Sequence, residues 1–410
     1  MTAALIHWPG VLRDASFRRF WAAQVISDAG SGVGAVALPL TAVLTLGASS
    51  LDMGFLTASS TLPALLLALH IGVWVDRFPR RPILIATNLG RAALVGLVPV
   101  SAALGVLTIH LLWVMVFAIG TLAVAFDIAV TSYVPSLVWR ERLMEANSTL
   151  QASSAAARAA GPGTGGWLVQ ALGAPVALWA DALSFALGAA LLAPLRVPES
   201  TRDRAVAHSV WTDIGEGVAA VWHDHVLRAM VVSSTIAAFG GAMQQAVYVL
   251  FAVRDVQVSP PVLGTILACG SLAGLVGAAM AARTARLLRT GGALLVGQIS
   301  ITTSMFVLAA APPGGVGIAL LPVAQVLFSA GLQSFSVTQI SLRQAITPSH
   351  LLGRVNATRR VTVFGMQPIG AVLGGALGSA FGLHAALLAG AALQLIALAS
   401  LVASPLRAAR

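Results

Sequence analysis

The sequence has 410 residues, of which 58% are hydrophobic and only 9% are charged. Soluble proteins carry about 25% charged residues, so this composition excludes a soluble enzyme or binding domain and indicates a protein that crosses the membrane many times. The formal net charge of +10 does not indicate nucleic-acid binding, because the basic residues fall in short clusters between apolar segments.

Apolar segments long enough to cross a bilayer, about 20 residues each, recur along the whole chain. A tail at 1–18 lacks the apolar core of a signal peptide. The first half, 19–195, contains predicted spans at 19–46, 52–75, 82–105, 110–136, 149–171 and 174–195. A polar linker at 196–228 includes a predicted amphipathic surface helix, Trp211–Trp222. The second half, 229–404, contains spans at 229–253, 259–282, 291–311, 316–340, 360–382 and 384–404, and a tail follows at 405–410.

Nearly all arginine residues lie on the cytoplasmic side of the membrane when both termini are placed in the cytoplasm. Of the 24 basic residues, only Arg91, Arg158 and Arg254 then lie outside cytoplasmic segments. Short loops rich in basic residues stay cytoplasmic. The distribution therefore supports twelve spans with both termini inside.

An internal repeat relates the two halves. The residues of the first copy recur 209 positions later, which indicates duplication of a six-helix unit. The matching residues are Asn147, Gly161, Gly165, Gly166 and Gly173 in the first half and Asn356, Gly370, Gly374, Gly375 and Gly382 in the second.

A polar segment, Gly72-Val-Trp-Val-Asp76-Arg77-Phe-Pro-Arg80-Arg81, separates the second and third spans. Its charges are too polar for the bilayer core and predict a cytoplasmic turn. Gly72 permits a neighbouring helix to approach closely. Asp76 can cap a helix or pair with a cation, and the last two arginines can bind lipid phosphate or the C-terminus of another helix.

This segment resembles the signature that the major facilitator superfamily carries between its second and third helices. Pro79 stands where the signature usually has glycine, a variant that resembles the drug and siderophore exporters of the enterobactin type. The resemblance implies a cytoplasmic gate in which Asp76 reaches the start of helix 11, near Arg359. A topology signal and lipid anchor without a moving part is the alternative.

Ionisable residues inside the spans are costly and are therefore functional candidates. Asp28 in span 1 is the best candidate for proton coupling or for binding a cationic group, and a static ion pair with Arg158 is the alternative. Asp127 is expected to pair with Arg91, or with the arginines of the gate, in a structural or relay role. Asp181 is expected to form a structural hydrogen bond, because the resemblance places span 6 at the periphery.

Span 5 contains Gly161-Pro162-Gly163-Thr-Gly165-Gly166. This resembles the antiporter signature of exporters in the same superfamily, with Ala157 in place of its first glycine. Proline bends a membrane helix and glycine permits close packing. Ordinary packing of small residues is the alternative.

Spans 7 and 10 carry neutral polar residues that suit a mainly apolar cavity with a few hydrogen-bonding groups. Hydrogen bonding between helices is the alternative for each of them. The predicted lining of the substrate cavity is Asp28, Gln244, Gln245, Tyr248 and Gln333.

The sequence thus predicts an all-α membrane protein with twelve transmembrane helices in two pseudo-symmetric halves, the major facilitator fold. The resemblance implies a plasma-membrane transporter that exports small amphipathic compounds (a drug, a siderophore or another secondary metabolite) in exchange for protons by alternating access. A symporter that imports a nutrient or lipid-like solute is the second interpretation, and a non-transporting sensor is the third. We expect protons and membrane lipids as partners, a monomer, no enzyme activity, and no cofactor, metal or nucleic acid.

Overall fold

The computed structural model describes residues 10–195, 218–219, 221–348 and 351–404, without the side chains of Leu69 and Asp76. The described chain is almost entirely helical. The helices are α1 (Ala15–Leu40), α2 (Ser50–Leu66), α3 (Ala68–Arg77), α4 (Arg80–Ala103), α5 (Ile109–Leu137), α6 (Leu143–Leu172), α7 (Ala174–Leu192), α8 (His225–Arg254), α9 (Pro260–Ala309), α10 (Gly315–Ile346), α11 (Leu352–Arg359), α12 (Gly365–Phe381) and α13 (Leu383–Val402). A π-helical turn extends α1 through Thr41–Thr45, and another, Arg360–Phe364, joins α11 to α12.

An aspartate side chain caps the N-terminus of the first helix of each half. Asp14 Oδ1 accepts a hydrogen bond from the backbone N–H of Ser16 at 2.7 Å, at the start of α1. Asp224 Oδ1 accepts one from Val226 N–H, also at 2.7 Å, at the start of α8. Such caps satisfy N–H groups that the helix itself leaves without partners. The same residue type therefore fixes where the chain enters each six-helix unit.

Nine segments of the described chain are long and apolar enough to cross a membrane. The other predicted spans differ from these for structural reasons. The predicted span at 52–75 is broken at Leu67 into α2 and α3, so that α2 has only 17 residues. α6 is long enough, but Glu145, Arg158 and other polar residues lower its apolar character. α9 has 50 residues and contains two predicted spans.

The turn between the two parts of α9 lies at Arg289. Its backbone is non-helical, with φ 62° and ψ 167°, a left-handed φ that L residues rarely adopt. Leu263 and Leu308, near the two ends of α9, both belong to one buried cluster, so the chain reverses at Arg289. The basic segment predicted as a loop between spans 8 and 9 is helical up to this residue.

We call the end of the bundle that carries the turns at Gly47, Asp255 and Gly314 the distal face, and the opposite end, near both chain termini, the terminal face. The buried core toward the distal face is shared by the two halves. It joins Leu40 and Leu178 of the first half to Phe251, Leu263 and Leu387 of the second.

The cores toward the terminal face are separate. One is formed only by residues of the first half, among them Phe17, Leu84 and Tyr133. Another is formed only by residues of the second half, among them Met230 and Phe335. The two halves are thus packed against each other distally and lack a shared apolar core near the terminal face of the described structure.

Glycine residues allow the close contacts between the halves, and the contacts repeat. A Cβ built on Gly54 of α2 would lie 2.7 Å from Ala371 O of α12. A Cβ built on Gly264 of α9 would lie 3.0 Å from Gly166 Cα of α6. We call these two contacts, between α2 and α12 and between α9 and α6, the glycine seams. They are equivalent, because α6 corresponds to α12 and α2 corresponds to the first part of α9 in the repeat.

The repeat also extends to backbone conformation. Gly173, after α6, has φ 87° and ψ 154°, and Gly382, after α12, has φ 88° and ψ 160°. Only glycine adopts this region readily, so the repeated glycine is required by the turn. The predicted duplication is visible in the structure.

Most of the predicted surface helix Trp211–Trp222 and of the predicted linker at 196–228 lies outside the described residues, as do the tail at 405–410 and half of the tail at 1–18. The described end of the predicted surface helix, 218–219 and 221–222, is helical.

Candidate functional site

The ionisable residues that the sequence singled out come together inside the first half, each from a different helix. The carboxylates of Asp127, Asp181 and Asp28 all lie within electrostatic range of the guanidinium of Arg91. Asp127 in turn is acted on by Arg91, Asp28 and Arg158. We call these five residues the charge cluster: Asp28, Arg91, Asp127, Arg158 and Asp181.

Asp28 on α1 has two partners on α6. The hydroxyl of Ser154 donates a hydrogen bond to Asp28 Oδ2. Arg158 Nη1 lies 3.9 Å from Asp28 Oδ1, so the ion pair weighed from the sequence is present but loose. The Arg158 side chain is 55% exposed, whereas that of Asp28 is 18% exposed. A partly screened pair of this kind is weakly held and can be opened at small cost.

Arg91 on α4 is buried and tightly held. Its Nη2 donates a hydrogen bond to Asn88 Oδ1 at 2.5 Å. The guanidinium carbon lies 4.3 Å from the ring centroids of both Phe126 and Phe185. Stacking against aromatic faces stabilises a guanidinium away from water. No ion pair of the described structure joins Arg91 to Asp127, so the pair expected from the sequence acts at longer range.

Asp181 on α7 differs from its expected role. The predicted structural hydrogen bond is not seen at its Oδ1, which is buried and has no hydrogen-bond partner among the described residues. The residue is not peripheral either, because it lines a large cavity together with Arg91. The apolar sequence of α7 gave no signal of which face the carboxylate occupies.

Two cavities meet between the halves. The first, about 540 Å³, is lined by helices of the first half and by Gln245, Tyr248, Val249 and Leu267 of the second. The other, about 500 Å³, lies mainly in the second half and is lined by Gln333 among others. Thr57 and Gln245 line both cavities, so the two are parts of one pathway. Their volumes lie in the range of drug-sized binding sites.

The predicted cavity residues separate into two groups. Gln245, Tyr248 and Gln333 line the cavities as expected. Gln244 contacts a small side pocket, and its Nε2 donates to Leu387 O at 2.6 Å, so it mainly ties α8 to α13. Asp28 is not among the residues that line the two large cavities.

The sequence missed further lining residues of the second cavity. They are amides and one arginine, on helices where the apolar pattern does not show which face points inward. These residues are Gln298, Arg359, Gln367 and Gln394.

The gate segment lies at the terminal face, where α3 ends and α4 begins. Arg81 donates from Nε to Leu192 O at 3.4 Å and from Nη2 to Ala193 O, as expected for an arginine that binds the C-terminus of another helix. Arg80 is buried and Arg77 is exposed. The side chain of Asp76 lies outside the described residues.

Gly72 does not bring a helix close in this conformation. A Cβ built there would have no described heavy atom within 4 Å beyond its chain neighbours and its own helix. The second and third spans are therefore joined by a turn that is open around Gly72. The close approach predicted at Gly72 is therefore not seen in this structure.

The antiporter-like segment of α6 packs against two helices. A Cβ on Gly161 would lie 2.6 Å from Gly32 Cα of α1, and one on Gly165 would lie 3.0 Å from Val33 Cα. Gly166 instead faces α9, where a Cβ would overlap Pro260 O. Pro162 lies within the same helix. The segment therefore holds α6 against its own half and also forms a seam with the other half.

Comparison with known proteins agrees with this architecture. The profile of the family described as transmembrane secretion effector, a branch of the major facilitator superfamily, matches residues 8–410. The chain belongs to this family. It is similar to the multidrug efflux pump Tap of Mycolicibacterium fortuitum, with 29% identity over 377 residues that cover 90% of each protein. It is also similar to the multidrug efflux pump Tap of Mycobacterium tuberculosis, with 29% identity over 381 residues that cover 90% of this chain and 88% of the relative.

Solved structures confirm the fold. The nucleoside transporter NupG superposes with a TM-score of 0.75 at 11% identity, over 95% of this chain and 98% of that one. A bacterial homologue of the iron transporter ferroportin, in an inward-facing state, superposes with a TM-score of 0.72 at 17% identity, over 96% of this chain and 98% of that one. The chain is thus a multi-pass membrane protein with the major facilitator transporter fold.

Proposed function

We propose that this protein exports small amphipathic compounds across the plasma membrane in exchange for protons, by alternating access. The supporting observation is the asymmetry of packing between the halves. They share one apolar core and two glycine seams toward the distal face, whereas their cores toward the terminal face are separate. A drug-sized pathway lies between them.

This arrangement corresponds to one state of a rocking transporter. Two rigid halves that are closed at one end and apart at the other can exchange the two ends by rotating about the central cavity. The arginine distribution supports a cytoplasmic location of the terminal face. The conformation is then open toward the cytoplasm, and the gate segment closes that side in the opposite state.

The charge cluster supports coupling to protons. It contains three carboxylates and two guanidinium groups, so one carboxylate is in excess when all are ionised. An unbalanced charge inside a membrane protein is costly, and a proton removes that cost. Asp28 is the proposed coupling site, because its only ion pair among the described residues is long and its partner Arg158 is exposed. Protonation would weaken this pair and shift the balance between the two states.

Export of a drug-like compound is favoured over import by the antiporter-like segment of α6 and by similarity to relatives named multidrug efflux pumps. Import by symport remains the second candidate, since the same packing serves both directions. Siderophores belong to the proposed substrates only through the resemblance of the gate segment. Enzyme and sensor functions have no observation in their favour.

Efflux from intact cells tests the proposal. A host without its own pumps would express the wild type or Asp28→Asn, and fluorescent cationic and neutral amphiphiles would be loaded. We expect efflux that a protonophore abolishes and that the mutant lacks, at equal membrane levels of the two proteins. Accumulation of the compounds in cells expressing the wild type would refute export and favour import.

A further inference from the structure

Helix α1, which faces Asp181, leaves space for its carboxylate. α7 packs against α1, where Gly30 and Gly34 leave a notch for the carboxylate. A Cβ on Gly30 would lie 3.1 Å from Asp181 Oδ1, and one on Gly34 would overlap Oδ2 and lie 3.1 Å from Cγ. Any larger residue at position 34 would displace the carboxylate. Helix α1 therefore fixes Asp181 at the wall of the 540 Å³ cavity.

The carboxylate of Asp181 is not satisfied within the described protein. The residue is only 6% exposed, and its Oδ1 has no hydrogen-bond partner. The neighbouring hydroxyl of Ser184 donates to the backbone carbonyl of Asp181, at 2.7 Å, rather than to its side chain. A buried acceptor without a donor is unfavourable, and such groups in native proteins commonly serve a ligand or a catalytic role.

Arg91 forms no hydrogen bond or ion pair with the Asp181 carboxylate in the described structure. Its Nη2 is bound to Asn88, and its guanidinium carbon lies 4.3 Å from the ring centroids of both Phe126 and Phe185. The Asp127 carboxylate also lies within electrostatic range of Arg91. The charge cluster therefore retains one carboxylate in excess, and Asp181 is the carboxylate of the cluster that lines a large cavity.

The second half contributes an unpaired group to the same cavity. Tyr248 of α8 is 7% exposed, and its hydroxyl is buried without a hydrogen-bond partner among the described residues. Its side chain lines the cavity together with Asp181. The remaining wall is mainly apolar and includes Leu38, Met53 and Val116.

We propose that Asp181 and Tyr248 form a subsite for the protonated amine of an amphipathic substrate. This inference rests on the proposed transport function and names the substrate class of its cavity. The ammonium group donates hydrogen bonds to the Asp181 carboxylate and to the Tyr248 oxygen, and the apolar wall covers the body of the molecule. A bound cation balances the excess carboxylate of the first half. It also connects the two halves, since Asp181 and Tyr248 belong to different ones.

Binding to the purified full-length protein in lipid nanodiscs tests the subsite. Three dansyl probes with chains of equal length are used: dansylcadaverine with a primary ammonium group, its trimethylammonium derivative, and neutral N-hexyl dansylamide. We expect Asp181→Asn to raise the Kd of both cations by about 10- to 100-fold, because a charge-assisted contact is lost. The neutral probe should change by less than about 2-fold, within the experimental spread expected for a variant that keeps its fold. Asp255→Asn, which removes an acid at the distal face, is the matched control for net charge.

Two further variants separate the parts of the subsite. Tyr248→Phe keeps the ring and removes the hydroxyl, so it should weaken dansylcadaverine by about 3- to 10-fold and the trimethylammonium probe less, because the latter has no N–H donor. Gly34→Ala should weaken both cations as Asp181→Asn does, because it displaces the carboxylate. Gly163→Ala is its control, since a Cβ there meets only Ala268 Cβ at 3.7 Å.

Equal binding of the cationic probes by the wild type and by a folded Asp181→Asn protein would overturn the subsite, as would failure of the wild type to bind either cation. Size-exclusion profiles and binding of the neutral probe show that each variant is folded. The two proposals can fail separately. Asp181-dependent binding without transport in liposomes would retain the subsite and refute the transport function. Transport of the cations together with binding that does not depend on Asp181 would retain the transport function and refute the subsite.

Discussion

Gly166 on α6 provides a direct test of alternating access. Substitution by alanine places a methyl group against Pro260 O, with Pro260 C and Pro261 Cα at 3.1 Å, all of them backbone atoms at the start of α9. Backbone at a helix start cannot move aside as a flexible side chain can. The clash therefore penalises the state in which α6 and α9 are packed together.

The size of the effect follows from the packing cost. Overpacking by one methyl group costs about 1–3 kcal/mol. The gain of up to about 1 kcal/mol for alanine over glycine in a helix applies to both states, since α6 is helical in both, and so cancels. We therefore expect the ratio of the distally closed to the distally open state to fall by about 5- to 150-fold.

Distances between spin labels measure this ratio. The labels are placed at Val106 and Val316, which are 57% and 64% exposed near the distal ends of the two halves, in a Cys269→Ser background. Gly166→Ala should populate longer distances, and Gly163→Ala, on the same helix and with an ordinary contact to α9, should not. Equal distance distributions for Gly166→Ala and the wild type would refute the argument, as would equal shifts in both variants.

Asp76 of the gate segment and the neighbouring glutamines Gln244 and Gln245 of α8 give two further predictions. Asp76→Asn should slow efflux by about 10-fold or more, because a charge-assisted contact worth about 1.5–3 kcal/mol is lost from the cytoplasmically closed state. The amount of the variant in the membrane should be normal. A normal efflux rate would refute the gating role of Asp76. Gln244→Leu should lower the free energy of unfolding by about 1–3 kcal/mol, because it removes the two buried hydrogen bonds that Gln244 donates to Met305 O and Leu387 O. Gln245→Leu, whose exposed side chain lines the pathway, should leave thermal stability nearly unchanged and alter substrate affinity; equal stability loss in both variants would contradict the assignment.

The sequence predicted the parts of the fold that depend on spacing. The glycine residues that repeat after 209 positions identified the seams between helices, because only glycine permits backbone contact at Gly161 and Gly166. The family and the fold followed from the gate segment and from this repeat. The break at Leu67 was not predicted, since the leucine-rich sequence around it is uniformly apolar.

The site was predicted only in part, because an apolar helix does not show how it is rotated. Asp28, Arg91, Asp127 and Arg158 were expected to interact, and they lie within one electrostatic cluster. Asp181 was expected at the periphery, yet α7 turns it toward α1 and the cavity. Gln298, Gln367 and Gln394 of the second cavity were missed for the same reason. The roles of all these residues stay predictions until they are measured.

Proton exchange is the central claim, and a reconstituted system measures it most directly. Liposomes containing the protein and the trapped pH dye pyranine, with the membrane potential clamped by valinomycin and potassium, receive the dansyl trimethylammonium probe. This probe carries a permanent charge and cannot cross the bilayer as a neutral base. The account predicts that entry of the probe drives protons out of the lumen, and that Asp28→Asn, which lacks efflux in cells, shows neither movement. Entry of the probe with protons moving in the same direction, or with no proton movement in the wild type, would contradict it.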